Sequence, residues 1–198
     1  QNLQEVPISI VAITGEGLEI RGLQNVENLN ATIPNLSVMG SAGGAGTSAT
    51  SFRVRGFPGV GTYIDGVWQV SVQGMLTEDF VDLERLEVLR GPQGTLFGRE
   101  SIGGAVRIFT RRPTDEFGAT FKGTLGTFNR HDASMSVNLP LSDNVKSKFT
   151  FSDSNRDGYI TSLQTGLKGG GIDQSNVSGD VVWTPTENLD IRTTYSRF

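Results

Sequence analysis

The acidic side chains are the first candidates for chemistry, because paired carboxylates can act as general acid and general base. Two pairs have short spacings, Glu84 with Glu87 and Asp79 with Asp82. Acid–base catalysis needs a carboxyl group whose pKa is raised, and that requires an apolar pocket around it. The spacing here is typical of a helix or strand surface, and no apolar pocket is indicated. Neither pair predicts a catalytic site.

Nucleophilic and metal chemistry is limited by composition. The chain contains no cysteine and one histidine, His131. Thiolate metal sites, a cysteine nucleophile and a zinc site built from several histidines are therefore excluded. A serine triad would have to use His131, which we place on the polar face of a predicted strand. We predict no catalytic residue, no metal site and no resident cofactor, and we do not expect an enzyme.

A glycine-rich turn at Gly91–Gly98 (GPQGTLFG) could be taken for a phosphate-binding loop. Such a loop ends in Gly-Lys-Ser or Gly-Lys-Thr, whereas Arg99 and Glu100 follow this turn. A nucleotide site is therefore not predicted. The net charge of −4 also argues against a nucleic-acid partner, because nucleic-acid binding usually needs a basic domain or stripe.

The elements that position these residues change in character near Pro113. Before it, short strand-like runs alternate with short helical patterns, which indicates a compact α+β domain. Asp65-Gly66 is a strong signal for a two-residue hairpin, since that turn needs positive φ angles. The predicted strands are Val6–Ile13, Phe52–Arg55, Thr62–Ile64, Val67–Gln69, Arg85–Arg90 and Ala105–Thr110; predicted helices begin after the cap Thr14 and cover Val26–Ala31 and Thr77–Leu83; residues 40–50 are predicted to form a surface loop.

After Pro113 apolar and polar residues alternate with period two. Five such segments match transmembrane β-strands of about 9–11 residues. An ordinary antiparallel sheet with one wet face shows the same alternation, so periodicity alone leaves both interpretations open. The apolar positions are Phe117, Ala119, Phe121 and Leu125; Ala133, Met135, Val137 and Leu139; Phe149 and Phe151; Val177, Val181 and Trp183; and Leu189, Ile191 and Tyr195.

The connections between these segments differ in length. Pro140–Asn144 and Pro185–Asn188 are predicted as short turns, and Asn155–Ser175 as a long polar loop. In outer-membrane barrels short turns face the periplasm and long loops face outside. If the first segment runs outward, both turns fall on the inner side and the long loop on the outer side, so the assignment is consistent.

Four stretches of the first part together resemble the plug domain of TonB-dependent outer-membrane receptors. Their order and spacing over about a hundred residues make the match specific, and the fourth stretch carries most of it. The stretches are Gln4–Ile10 (QEVPISI), Phe52–Phe57 (FRVRGF), Tyr63–Val67 (YIDGV) and Leu83–Gly98 (LERLEVLRGPQGTLFG), the last continuing through Ser101–Val106 (SIGGAV).

The resemblance implies a plug domain over residues 1–112, followed at 113–198 by about five strands of an antiparallel, 22-stranded outer-membrane β-barrel. At about 10 residues a strand, such a barrel needs about 220 residues before loops are counted. Only 85 residues follow Pro113. An open sheet edge in lipid leaves backbone groups unpaired, so we expect further strands from a longer chain or another chain. The family's coupling segment normally precedes the QEVP stretch, where only three residues stand.

The resemblance also implies a function and partners. We expect energised import across the outer membrane of a Gram-negative bacterium, with the plug in the barrel lumen, TonB and its inner-membrane complex as partners, and a scarce ligand, most often a ferric siderophore. Receptors for oligosaccharides, cobalamin or nickel share these motifs. A plug-like binding or signalling module without transport, and a soluble α/β enzyme, are the alternatives from other classes.

Two groups of site residues follow from the resemblance. Arginines on or beside plug strands are expected to pair with acidic residues of the barrel wall, since guanidinium binds carboxylate in bidentate fashion; they are otherwise simply solvated. Ligand is expected to meet the plug at the loops 40–50, 57–61 and 68–75. The predicted ion-pairing residues are Arg53, Arg55, Arg85 and Arg90, and the predicted ligand contacts are Phe57, Trp68 and Gln69.

Overall fold

The computed structural model describes residues 9–23, 29–30, 32–40, 50–69, 82–92, 94 and 101–197. Its contacts divide the chain into two compact units, Gln1–Thr110 and Arg111–Phe198. We call them the first unit and the second unit. The predicted domain bounds, 1–112 and 113–198, stay a prediction. Among the described residues no helix is both long and apolar enough to cross a membrane.

The first unit contains seven described strands and one short helix. They are β1 (Ser9–Thr14), α1 (Gly15–Ile20), β2 (Leu36–Gly40), β3 (Thr50–Val54), β4 (Val60–Ile64), β5 (Val67–Gln69), β6 (Leu83–Arg90) and β7 (Gly104–Thr110).

A five-stranded sheet in the order β1-β6-β7-β4-β5 forms the frame of the first unit. β4 and β7 run parallel, and the other neighbours run antiparallel. β2 and β3 form a separate antiparallel hairpin. The cap predicted at Thr14 is confirmed, because its hydroxyl accepts a hydrogen bond from Gly17 N at 3.1 Å at the start of α1.

The main core cluster of the first unit lies on one face of this sheet, and a smaller buried cluster of Tyr63, Leu89 and Ala105 is separate from it. Apolar side chains of β6 and β7 pack there with α1 and with the β2–β3 hairpin in one buried cluster. Removing these side chains from water is the main stabilising contribution to such a unit. The cluster includes Leu18, Leu36, Val38, Phe52, Val54, Leu86, Val88, Val106 and Ile108.

Two tight turns of the first unit have positive φ at both central residues. Asp65 (φ 47°) and Gly66 (φ 86°) join β4 to β5, which confirms the predicted hairpin. Arg55 (φ 55°) and Gly56 (φ 82°) form a second turn, closed by Val54 N to Phe57 O at 3.1 Å and Phe57 N to Val54 O at 3.0 Å. The sequence analysis assigned no turn there.

Several predicted elements fall partly or wholly outside the described residues. The loop 40–50, most of the turn Gly91–Gly98, and most of the helices Val26–Ala31 and Thr77–Leu83 belong to this group. Of the last helix, Asp82 and Leu83 are described: Asp82 lies in a turn, and Leu83 begins β6 instead.

The second unit is a sheet of five long strands with one small hairpin. Its strands are β8 (Gly118–Gly126), β9 (Arg130–Ser142), β10 (Val145–Arg156), β11 (Ile160–Thr161), β12 (Lys168–Gly169), β13 (Ile172–Thr186) and β14 (Leu189–Arg197). The sheet order is β14-β13-β10-β9-β8, and all pairs are antiparallel. β11 and β12 pair only with each other.

The two faces of this sheet differ in polarity as predicted. One face carries large apolar side chains that remain exposed: Phe121, Leu139, Phe149, Val181, Trp183, Ile191 and Tyr195. The other face carries buried polar and charged residues: Asp132, Ser134, Lys148, Ser154 and Asp180. His131 is a correction to the sequence analysis. By register it alternates with Asp132 and shares a face with Ala133, so it belongs to the apolar face, where it is exposed.

The connections are shorter than predicted. β9 continues through Pro140 and β13 through Pro185, so the turns reduce to Asp143–Asn144 and Glu187–Asn188. The register shifts beside each proline, and such irregularities accommodate a residue that has no N–H to donate. The predicted long loop Asn155–Ser175 narrows to residues 157–171, because β10 and β13 extend into it.

Candidate functional site

The predicted ligand contacts of the first unit lie at its two tight turns. Phe57 closes the Arg55-Gly56 turn and is 63 % exposed, and Trp68, opposite Tyr63 in the β4–β5 hairpin, is 46 % exposed. Gln69 is half-buried, and its Nε2 donates to Val67 O at 3.2 Å. Two exposed aromatic rings, one beside a tight turn and one on the short strand β5, are suited to binding. Their contact with a ligand stays a prediction.

Arg85 lies in a charged cluster on the sheet face opposite the core. Its Nε donates to Glu87 Oε1 at 2.8 Å, and its Nη1 pairs with Glu84. Its guanidinium carbon lies 3.7 Å from the centre of the Phe109 ring. The hydrogen bond that Arg85 donates to Glu87 raises the pKa of Arg85 above its already high value, against the opposing effect of burial.

Arg107 shares the same acceptor. Its Nη1 donates to Glu87 Oε2 at 3.0 Å, and its guanidinium carbon lies 4.6 Å from the Phe109 ring. One carboxylate, 15 % exposed, thus holds two guanidiniums against one ring. Arg85 therefore has partners within its own unit, while its predicted pairing with a wall carboxylate remains a prediction.

The other three predicted arginines differ in surroundings. Arg53 and Arg55 are exposed, and Arg55 has its positive φ in the tight turn. Arg90, at the end of β6, is half-buried, and its Nε is among the described buried atoms that have no hydrogen-bond partner. A buried donor without an acceptor is costly. Of the four predicted arginines, Arg90 is therefore the one that would gain most from an added acceptor.

The polar face of the second unit carries two buried carboxylates with cationic partners. Asp180, whose side chain is 5 % exposed, accepts from Arg192 Nε at 2.9 Å and Nη2 at 2.5 Å, and from Thr194 Oγ1 at 3.2 Å. Asp132 accepts from Arg130 Nε at 2.7 Å and Nη2 at 2.6 Å. Bidentate pairing of this kind neutralises charges that burial would otherwise make costly.

The long loop between β10 and β13 lies at the end of the sheet opposite the two short turns. A cluster of aromatic and cationic side chains binds its base. Tyr159 lies 5.6 Å from Phe128, ring centre to ring centre, and the Arg156 guanidinium lies 5.0 Å from the Tyr159 ring. Arg156 Nη2 donates to Gly170 O at 3.0 Å. Gly170 has a φ of 78°, and a Cβ there would lie 2.8 Å from the Tyr159 ring, so glycine is favoured at this position. This cluster fixes the base of the loop.

Most of these pairings were missed by sequence reasoning. Glu84 and Glu87 were noticed only as an acid pair, and nothing pointed to Arg107, Asp180 or Arg192. The one signal in the sequence was that each of these residues alternates with apolar residues along its strand, which places each on the polar face of its own sheet. Among the described residues no three side chains of histidine, aspartate or glutamate are grouped so that they could hold a metal ion.

The sequence matches the family model for the TonB-dependent receptor plug domain over residues 2–105. The iron-regulated outer membrane virulence protein of Vibrio cholerae is 31 % identical over 160 residues, which are 72 % of this chain and 24 % of that protein. The ferrioxamine B receptor of Salmonella typhimurium is 31 % identical over 170 residues, 83 % of this chain and 24 % of the receptor. The chain thus spans about a quarter of the length of these relatives.

Solved structures show the same fold. The crystal structure of the ferric yersiniabactin uptake receptor from Yersinia pestis aligns with a TM-score of 0.83 at 23 % identity, covering 96 % of this chain and 31 % of that one. The ferripyoverdine receptor of Pseudomonas aeruginosa aligns with a TM-score of 0.80 at 20 % identity, covering 99 % and 26 %. The predicted combination of a plug domain with antiparallel strands is confirmed.

Proposed function

The chain belongs to the TonB-dependent receptors through its plug domain, and from this premise we propose that it is part of a receptor in the outer membrane of a Gram-negative bacterium. The receptor imports a ferric siderophore with energy that TonB and its inner-membrane complex transmit from the proton gradient. The plug domain occupies the barrel lumen, and the strands of the second unit belong to the barrel wall.

One observation carries this proposal: a plug-type domain continues directly into a sheet whose apolar face is exposed and whose polar face is buried. Exposed aromatic side chains such as Phe121, Phe149 and Tyr195 suit lipid, and Asp180 and Lys148 suit a polar lumen. A globular domain in water would instead bury the apolar face. This inversion supports membrane insertion of the second unit.

The ligand is proposed from the relatives. Their names specify ferrioxamine B, pyoverdine and yersiniabactin, which are siderophores, so a ferric siderophore is the ligand class we propose. Phe57, Trp68 and Gln69 are the proposed contacts in the first unit. Trp68→Ala should lower the affinity for ferric siderophore more than Gln69→Ala does, because the ring contributes a larger apolar contact area.

Arg53, Arg55, Arg85 and Arg90 are proposed to pair with carboxylates of the barrel wall. The support differs among them. Arg90 has a buried donor that is unsatisfied in the described residues, so it gains most from such a partner. Arg85 already has Glu87 and Glu84, so a wall carboxylate would use only its remaining donors.

The test is uptake of radiolabelled iron by a strain that lacks its own siderophore receptors and expresses the complete gene product. Ferric complexes of ferrioxamine B, pyoverdine and yersiniabactin form the panel. We expect accumulation of at least one complex, and none in an isogenic strain without TonB. Binding without accumulation would favour a signalling module, and neither binding nor accumulation would exclude a receptor for these siderophores.

A further inference from the structure

The second unit begins with a short polar segment whose residues nevertheless make contacts at several successive positions. It comprises residues 111–117 (RRPTDEF), here called the connector, between the end of β7 at Thr110 and the start of β8 at Gly118. The connector forms no helix or strand. By composition it resembles an ordinary flexible loop, so contacts that fix it need an explanation.

The side-chain amide of Asn138, on β9, binds the middle of the connector through both its oxygen and its nitrogen. Its Oδ1 accepts from Thr114 N at 2.9 Å, and its Nδ2 donates to Thr114 O at 3.0 Å and Thr114 Oγ1 at 2.8 Å. The same nitrogen also lies within reach of Glu116 O, so its two N–H groups are shared among three acceptors. The Asn138 side chain thus makes hydrogen bonds to the connector backbone of the kind that a neighbouring strand would make.

Lys148 on β10 holds the start of the connector. Its ammonium group donates to Arg111 O, and the residue is only 7 % exposed. Lys148 and Asn138 are register partners in neighbouring strands, so both holding side chains project from one row of the polar face.

Two ion pairs and a buried proline add to the contacts of the connector. Arg112 Nη2 lies 2.7 Å from Asp190 Oδ1, and Asp115 Oδ1 lies 2.5 Å from Lys146 Nζ. Both pairs are partly exposed, so each contributes little, but they hold the connector at two further points. Pro113 between them is buried, and its ring restricts φ.

The last residue of the first unit, Thr110, is also bound by a side chain of its own unit. The Asp65 carboxylate accepts from Thr110 N at 2.9 Å and from Thr110 Oγ1 at 2.6 Å. Asp65 N donates in turn to Ile108 O at 2.9 Å. The turn that was predicted only as a hairpin therefore also fastens the end of β7, immediately before the connector begins.

We infer that residues 110–116 form a fixed anchor, which keeps these contacts throughout the receptor's working cycle. Asn138, Lys148 and Asp65 are its positioning residues. Rearrangement of the first unit during uptake then takes place elsewhere, because opening the anchor would break several hydrogen bonds together. The uptake arm of the test rests on the proposed transport function; the exchange arm does not.

The first experiment locks the anchor covalently in the complete gene product. The side chains of Thr114 and Asn138 are in contact, so a short reducible cross-linker can join the two thiols of a Thr114→Cys/Asn138→Cys variant, with the wild type treated in the same way as the control. We expect uptake of ferric siderophore by the cross-linked form within threefold of the same variant after reduction. A larger loss that reduction restores, or failure of the cross-link to form, would overturn the inference.

The second experiment measures hydrogen exchange in the purified receptor. Asn138→Ala removes the acceptor of Thr114 N, and we expect exchange of that amide to become about tenfold faster. Asn176→Ala is the matched control, because Asn176 lies on the same polar face and binds Ser152 instead of the connector. We expect it to change exchange at Thr114 less than twofold.

The two experiments separate failure of the anchor from failure of the proposed function. A wild-type receptor that takes up no siderophore contradicts transport, while slow exchange at residues 111–117 still supports the anchor. Exchange at the free-peptide rate in the wild type, or equal effects of Asn138→Ala and Asn176→Ala, would overturn the anchor even in a receptor that transports normally.

Discussion

The sheets of the two units place polar and apolar side chains in opposite ways. In the first unit Leu86 and Val88 are fully buried on the core face, and the cluster around Glu87 lies on the other. In the second unit Phe149 and Val181 are exposed, while Asp180 is buried. The same period-two alternation therefore serves two surroundings, and only the burial of each face tells them apart.

The largest expected effect concerns a buried charge of the second unit. Asp180→Ala leaves Arg192 without its carboxylate, and breaking a buried ion pair from one side costs about 3–5 kcal/mol. Asp190→Ala is the control, because its pair with Arg112 is half exposed and contributes less than about 1 kcal/mol. Urea unfolding of the receptor in lipid vesicles measures both. Equal losses would show that burial does not distinguish these pairs.

A core residue of the first unit should matter more than an exposed leucine of the second. Leu86→Ala removes a fully buried side chain and should cost about 2–5 kcal/mol. Leu163→Ala, at a fully exposed leucine in the loop between β11 and β12, should change the free energy of unfolding by about 0.5 kcal/mol or less. Hydrogen exchange of the β6 and β10 amides reports each unit separately. A larger effect at Leu163 would contradict the burial assigned here.

Neighbouring residues of β8 test which face meets lipid. Phe121→Arg places a charge on the exposed apolar face and should cost about 2–4 kcal/mol if that position lies near the bilayer centre. Thr120→Arg places the same charge on the polar face, where the cost should be small. The yield of folded receptor in vesicles over a urea series measures the difference. Equal tolerance of both substitutions would argue against a lipid-facing side.

The smallest expected effect is a dependence on pH in the first unit. Burial raises the pKa of Tyr63 above its ordinary value, because the phenolate is disfavoured away from water. A raised pKa in the folded state gives a contribution to stability that is complete below the unfolded pKa of about 10 and is lost as pH rises beyond it. Thermal melting above pH 9 should therefore fall more steeply for the wild type than for Tyr63→Phe. Parallel curves would contradict this.

Much of the fold could be predicted because its signals are local. The hairpin at Asp65-Gly66, the cap at Thr14 and the apolar face of the second unit follow from adjacent residues. The turns at Pro140 and Pro185 were placed too early, since a proline beside a register shift can remain within a strand. His131 was assigned to the wrong face because one position decides the face in a period of two.

The sequence by itself determined the family, the alternation of the strands in the second unit and the turn at Asp65-Gly66. Tertiary structure alone decided which charged and polar groups meet. Arg192 lies 12 residues from Asp180, Thr114 lies 24 from Asn138, and Arg111 lies 37 from Lys148. These partners are set by register between strands and by the path of the connector. Alternation shows that a side chain is on the polar face, but register determines what it faces there.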